Sequence, residues 1–209
     1  MIKKNKLTSL SNNKKEKRLF FYLLAIMIFF FLLLEITILI AGSYYFNKKK
    51  TCATCSACAV GDTGPGGGKV FYIASGVCYE APTSDQSTVI RKYKWGCYGT
   101  EISGADGTAI GTGYQNTQDI LAGCATRPIA SSICSSLTLG GKSDWFLPSK
   151  DELNQMYLQG LIIGGFSSYY YWSSSQYSSY AAWTQFFILG NQFSYNKDYS
   201  YRVRCSRSF

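Results

Sequence analysis

The chain has no histidine, only four prolines and, beyond its first fifty residues, almost no excess of either charge. Each shortage excludes something. Without histidine there is no Ser-His-Asp triad and no His-built zinc site. The net charge of +9 resembles a nucleic-acid signal, but its location removes it: residues 1–50 carry a balance of +8 and residues 51–209 only +1. A phosphate-binding domain needs its own basic face, so no nucleic-acid partner is expected. Cysteine is absent from the first fifty residues, and all eight lie beyond them.

The basic tail has its own explanation. Leu19 to Gly42 is apolar apart from Glu35 and Thr37, long enough at ~1.5 Å per residue to cross a hydrocarbon core of roughly 30 Å. Lys3, Lys4, Lys6, Lys14, Lys15, Lys17 and Arg18 precede this run, and Lys48, Lys49 and Lys50 follow it. The larger basic cluster stays cytoplasmic, which predicts a single-pass cell-membrane protein with its C-terminal domain outside. A cleaved signal peptide fits less well, because the run exceeds an ordinary h-region and lacks a small-residue exit. The expected layout is a cytoplasmic tail over 1–18, a transmembrane helix over 19–42, a cysteine-bearing stalk over 43–60 and a domain over 61–209.

An even cysteine count outside a membrane reads as disulfides among Cys52, Cys55, Cys58, Cys78, Cys97, Cys124, Cys134 and Cys205. The Cys52-x-x-Cys55-x-x-Cys58 cluster has the alternative of a metal or iron–sulfur centre, weakened by the absent histidine. No metal, cofactor or catalytic residue is expected. The glycines of residues 61–69 lead to Lys69 with the wrong spacing for a phosphate-binding loop, and Val70 stands where Ser or Thr is needed. The plain reading is a turn into a strand over Lys69–Ala74.

Further along, Asn116 or Thr117 is placed to cap a helix through Ile120 and Cys124, and Pro128 to begin another reaching Leu137. Ser149-x-x-Glu152 forms a capping box, putting Leu153, Met156 and Tyr157 on one helical face. From Phe166 on, Tyr, Ser, Phe and Asn dominate. Turn signals at Gly190-Asn191 and Asn196-Lys197-Asp198 predict two or three antiparallel strands. Together these elements give an α+β domain.

The stretches GPGGGKVFY (64–72), WG (95–96), GADGTAIGTGYQNT (104–117), GGKSDWFLPSKDEL (140–153), YWSSS (171–175), AWTQFF (182–187) and RVRC (202–205) follow one another in an order that resembles the Lcl C-terminal domain family. The resemblance implies a C-type-lectin-like fold with short helices and antiparallel strands, and binding rather than catalysis; some relatives are adhesins for glycans. No Glu-Pro-Asn or Gln-Pro-Asp calcium–sugar motif is present. Trp145, Trp172 and Trp183 read as apolar anchors, and Asp144 with Arg204 as a candidate ion pair. Because this fold brings its first and last strands together, Cys205 is expected to bridge to one of Cys52, Cys55 and Cys58. The other two of that trio would pair together or between chains, with Cys78–Cys97 and Cys124–Cys134 as local staples.

Residues 176–204 also resemble the variable region of target proteins of diversity-generating retroelements. There an asparagine codon AAY is randomised to NNY, which cannot encode Trp, Met, Gln, Lys or Glu. Between Tyr177 and Tyr201 only Trp183, Gln185, Gln192 and Lys197 belong to that set, each where the family motif places scaffold. The candidate ligand-binding slots are therefore Tyr177, Ser179, Tyr180, Ala181, Thr184, Phe186, Ile188, Leu189, Asn191, Phe193, Ser194, Tyr195, Asn196, Asp198, Tyr199, Ser200 and Tyr201. Most of them should form one exposed, largely apolar face over Trp172, Trp183, Gln185, Phe187, Gly190 and Val203. Tyr, Ser and Asn are the residues of adaptable binding loops, and the implied partner is an extracellular protein or glycan. The plainer alternatives are a Tyr-rich β-meander with alternate residues buried, an adhesin of fixed specificity, and a structural envelope protein or extracytoplasmic enzyme.

Overall fold

The computed structural model describes residues 21–37, 50–88 and 90–209. Contacts divide the chain into two compact units, Met1–Lys48 and Lys49–Phe209. In the first, residues 21–37 form a helix (α1) whose large apolar side chains from Phe21 to Ile36 are all exposed. The expected span over 19–42 falls partly outside the described residues. Among these no helix is long and apolar enough to cross a membrane.

The second unit is α+β with antiparallel sheets. Strand β1 (Lys69–Ala74) forms as its Val-Phe-Tyr-Ile run predicts and pairs with β2 (Val77–Ala81). The last strand, β8 (Arg207–Ser208), lies on the other side of β2. Strand β3 (Tyr93–Lys94) pairs with β7 (Ser200–Tyr201). A third sheet runs β4 (Tyr170–Gln176), β5 (Ala181–Phe186) and β6 (Gln192–Asn196), with β6 at its edge.

Four helices cross between the first and third sheets in sequence: α2 (Gly113–Gly123), α3 (Ala130–Ser135), α4 (Lys150–Leu158) and α5 (Gly160–Ile163). Helix α2 begins ahead of the expected cap, at Gly113, with Thr112 before it. Helix α4 starts as predicted. Ser149 Oγ accepts the Glu152 amide, and the Glu152 carboxylate accepts the amides of Ser149 and, across the domain, Gly111. Burial pushes the Glu152 carboxyl up to about 6 against the lowering effect of those amides.

Three buried tryptophans anchor the core. Trp95, Trp145 and Trp172 are enclosed, and each indole N–H reaches a backbone carbonyl, of Ser173, Lys142 and Tyr93 respectively. A second cluster packs Leu153 and Met156 of α4 against Phe71, Tyr79, Phe146 and Tyr171. Trp95 was not expected as an anchor, whereas Trp183 is only half-buried.

All eight cysteines are paired, as Cys52–Cys58, Cys55–Cys78, Cys97–Cys124 and Cys134–Cys205. This corrects the expected staples. Strand β2 sets Cys78 beside the turn Cys55–Ala57, and the end of α2 sets Cys124 beside Cys97, with Cα separations of 5.3 and 5.7 Å. Cys205 meets Cys134 of α3, not the N-terminal trio; within that trio only Cys52 and Cys58 pair. Residues 50–60, expected as stalk, are held to the domain by Cys55–Cys78 and by a bridge between Thr51 and Thr63.

The Asp144–Arg204 pairing is also corrected. Arg204 is fully buried and donates to Asp85 at 2.7 Å and to the carbonyls of Pro82, Gly164 and Gly165. Asp144 pairs instead with Arg207, which also holds the buried Glu80. Hydrogen bonding and charge from Arg207 keep the Asp144 carboxyl low against the raising effect of its partial burial.

Candidate binding surface

Alternation along the third sheet decides what each side chain of the Tyr-rich region meets. The register sets Tyr170 beside Phe186, Trp172 beside Thr184, and Thr184 and Ala182 beside Phe193 and Tyr195. These residues share one face. Tyr170 stacks on Phe186 at 4.6 Å between centroids and meets Tyr195 edge-on at 5.1 Å. Tyr195 in turn approaches Tyr201, which lies over Trp172 at 4.9 Å. Tyr199 and Tyr169 complete the cluster from flanking segments, and Lys92 sits 3.8 Å over the Tyr169 ring.

This face is wet at its rim and dry at its floor. Phe193 and Tyr199 are 42% and 52% exposed, and Tyr170, Phe186 and Tyr195 are half-buried. Tyr201 and Thr184 are buried at 9% and 1%. Those two expected slots therefore belong to the floor: Thr184 bonds the Phe193 carbonyl, and burial raises the Tyr201 hydroxyl above its ordinary range. The Tyr195 hydroxyl is also raised, chiefly by its hydrogen bond to Tyr170.

The remaining slots point elsewhere. Ser194 lies opposite Trp183 on the other face, where Lys150 covers the Trp183 ring and Tyr177 meets it edge-on. That cover is partial, which is why Trp183 is not the buried floor expected of it. Ile188, Leu189 and Asn191 are exposed at the β5–β6 tip. Tyr180 is exposed against Tyr98 at 5.1 Å. Ser179 accepts the Gly99 amide through its carbonyl, and Ala181 is half-buried. Asn196 accepts the Asp198 amide, Asp198 pairs with Lys94, and Ser200 is exposed in β7.

Beneath, Trp172, Gln185 and Val203 are fully buried, while Phe187 is half-buried against Phe166 and Tyr157. Gly190 has a φ of +81°, and a Cβ there would lie 2.4 Å from the Tyr157 ring, so glycine is required twice over. Lys197 is also fully buried. Its ammonium donates to the Thr100 carbonyl and Gln176 Oε1 and lies 4.4 Å over Trp95. Desolvation lowers it to about 8, against the opposing charge of Glu101.

Sequence reasoning missed Tyr169, Tyr170 and Lys92, which lie outside residues 176–204 yet belong to the aromatic face. The run Tyr169-Tyr170-Tyr171 was the available signal, but only strand parity separates the buried Tyr171 from its neighbours. Among the described residues no group of three or more Cys, Asp or Glu could hold a metal ion. No family model and no curated protein matches the chain.

Proposed function

We propose that this chain is a membrane-anchored, surface-displayed receptor or adhesin of the Lcl C-terminal domain type, with a C-type-lectin-like fold, whose aromatic face binds an extracellular protein or glycan. The observation that carries the reading is the half-open cluster of Tyr169, Tyr170, Phe186, Phe193, Tyr195 and Tyr199 on one sheet face, with Lys92 over the Tyr169 ring. Rings of this kind offer large contact area at low entropy cost, and hydroxyls at the rim supply hydrogen bonds. Four disulfides suit an oxidising compartment. The uniformly exposed apolar side chains of α1 and the basic residues before them support anchoring with the N-terminus inside.

Diversification by a retroelement is the finer reading. It is supported at Tyr177, Tyr180, Ile188, Leu189, Phe193 and Tyr199, where exposure leaves side chains open to change. Burial of Thr184 and Tyr201 favours a second reading at those two positions, an adhesin whose floor is fixed. Glycan and protein arrays probed with the wild type and with Phe193→Ser/Tyr195→Ser/Tyr199→Ser test binding: loss of signal is expected, and full retention overturns the surface. A nearby reverse transcriptase with a near-copy of the coding 3′ end differing at adenines would mark diversification; a genome without them leaves fixed specificity.

A further inference from the structure

The edge of the third sheet carries a separate message, independent of the ligand-binding reading. The hairpin phase is fixed by the Phe186 amide bonding the Asn191 carbonyl and the Gly190 amide bonding the Phe186 carbonyl. Hydrogen-bonded pairs then recur every second residue, so Phe193 and Tyr195 point their backbone groups at β5. Gln192, Ser194 and Asn196 point theirs outward. Among the described residues, the outward amides and carbonyls of Gln192 and Ser194 and the amide of Asn196 have no hydrogen-bond partner. Edges of this kind are usually blunted by charge, proline or a bulge. Gln192–Asn196 contains no charge and no proline, and its register with β5 is unbroken.

We infer that this edge pairs with the same edge of a second copy of the chain, antiparallel about Ser194. The strand is self-complementary in that register. Ser194 would exchange both backbone bonds with the partner's Ser194. The Asn196 amide would donate to the partner's Gln192 carbonyl at each end. Phe193 would fall opposite the partner's Tyr195 in the close, non-hydrogen-bonded position, where aromatic pairs add to sheet stability. The two aromatic faces become one continuous surface on a six-stranded sheet. Main-chain pairing also tolerates side-chain change, because its bonds come from the backbone. A contact of one short strand is small, which places the pair among weak, reversible associations.

Because every native cysteine is already bonded, a new thiol is the only one in the chain. In the full-length protein, Ser194→Cys sets two thiols on Cα atoms about 5.5 Å apart, inside the disulfide range. Oxidation should give a reducible dimer, whereas Cys at the exposed loop residue Ser84 should not. Ser194→Pro removes an outward amide that the monomer does not use. It should lower the dimer fraction in sedimentation roughly tenfold, with melting unchanged. Equal crosslinking of Ser84→Cys, a monomer without Ser194→Cys crosslinks, or a dimer indifferent to Ser194→Pro would each overturn the pairing. So would a monomer whose array binding is lost in Ser194→Pro, since that outcome assigns the edge to a strand from another protein.

Discussion

The two faces of the β4–β5–β6 sheet draw on the same residue types and reach opposite ends. Toward α4, polar side chains find fixed partners: Gln185 donates to the Gly190 carbonyl at 2.6 Å, Gln192 to the Lys150 carbonyl at 2.8 Å, and Lys150 covers Trp183. On the opposite face, rings chiefly touch other rings, and hydroxyls at the rim meet solvent. A bond with defined partners demands one residue, while a ring-on-ring contact accepts several. The difference teaches where this domain can vary its chemistry without losing its shape.

The comparison breaks most visibly at the floor. Trp172→Ser should cost about 3–5 kcal/mol, because it empties a buried site and strands the Tyr93 carbonyl. Small domains hold only about 5–15 kcal/mol, so thermal melting should show a large drop or no folded protein. Gln185→Ala should follow with about 1–3 kcal/mol, read from denaturant midpoints. A loss below ~0.5 kcal/mol would mean that the α4 side is as tolerant as the aromatic one.

Lys197 gives a pH signature. Its folded value, about 8, lies below the ordinary 10.5. Between those values the unfolded chain holds a proton that the folded chain has released, so stability rises as pH climbs from about 8 toward 10. The gain should be on the order of 2 kcal/mol, and Lys197→Met should flatten it. Above about pH 10 the raised hydroxyls of Tyr171 and Tyr201 act oppositely, since their ionisation favours unfolding. A wild-type profile flat between pH 8 and 10 would place the ammonium in contact with water.

The smallest effects belong to the rim. Tyr180→Ser and Tyr199→Ser should each shift stability by less than ~0.5 kcal/mol. Tyr195→Ser should cost about 1 kcal/mol, because that ring touches Tyr170 and Tyr201. If Tyr199→Ser melts the domain, the rim is core and the two faces do not differ.

Local signals carried the parts of the fold that local physics determines. The capping box of Ser149 and Glu152, the strand Lys69–Ala74 and the turns at Gly190 and Asn196–Asp198 all stand where residue type puts them. Strand parity was legible only in part: Thr184, Phe186, Phe193 and Tyr195 share a face, but Ser194, expected beside them, lies opposite Trp183 on the other one. Depth was not legible. Thr184 is buried between Trp172 of β4 and Phe193 of β6, and Tyr201 against Trp172 and Tyr195, none of which alternation can weigh. Pairings across long separations were equally hidden. Asp85 meets Arg204 from 119 residues away, and Cys134 meets Cys205 from 71, distances at which spacing carries no information.

That last bridge closes residues 134–205 into a covalent ring containing α4, α5 and strands β4 to β7. One exposed turn in this ring is the hairpin tip at Ile188 and Leu189, a natural target for a protease. A single cut there releases nothing. The segment before the cut stays attached through its own chain, and the segment after it through Cys205. A cleaved molecule would keep its mass on a non-reducing gel and split only when reduced, so the domain can be nicked without losing a piece.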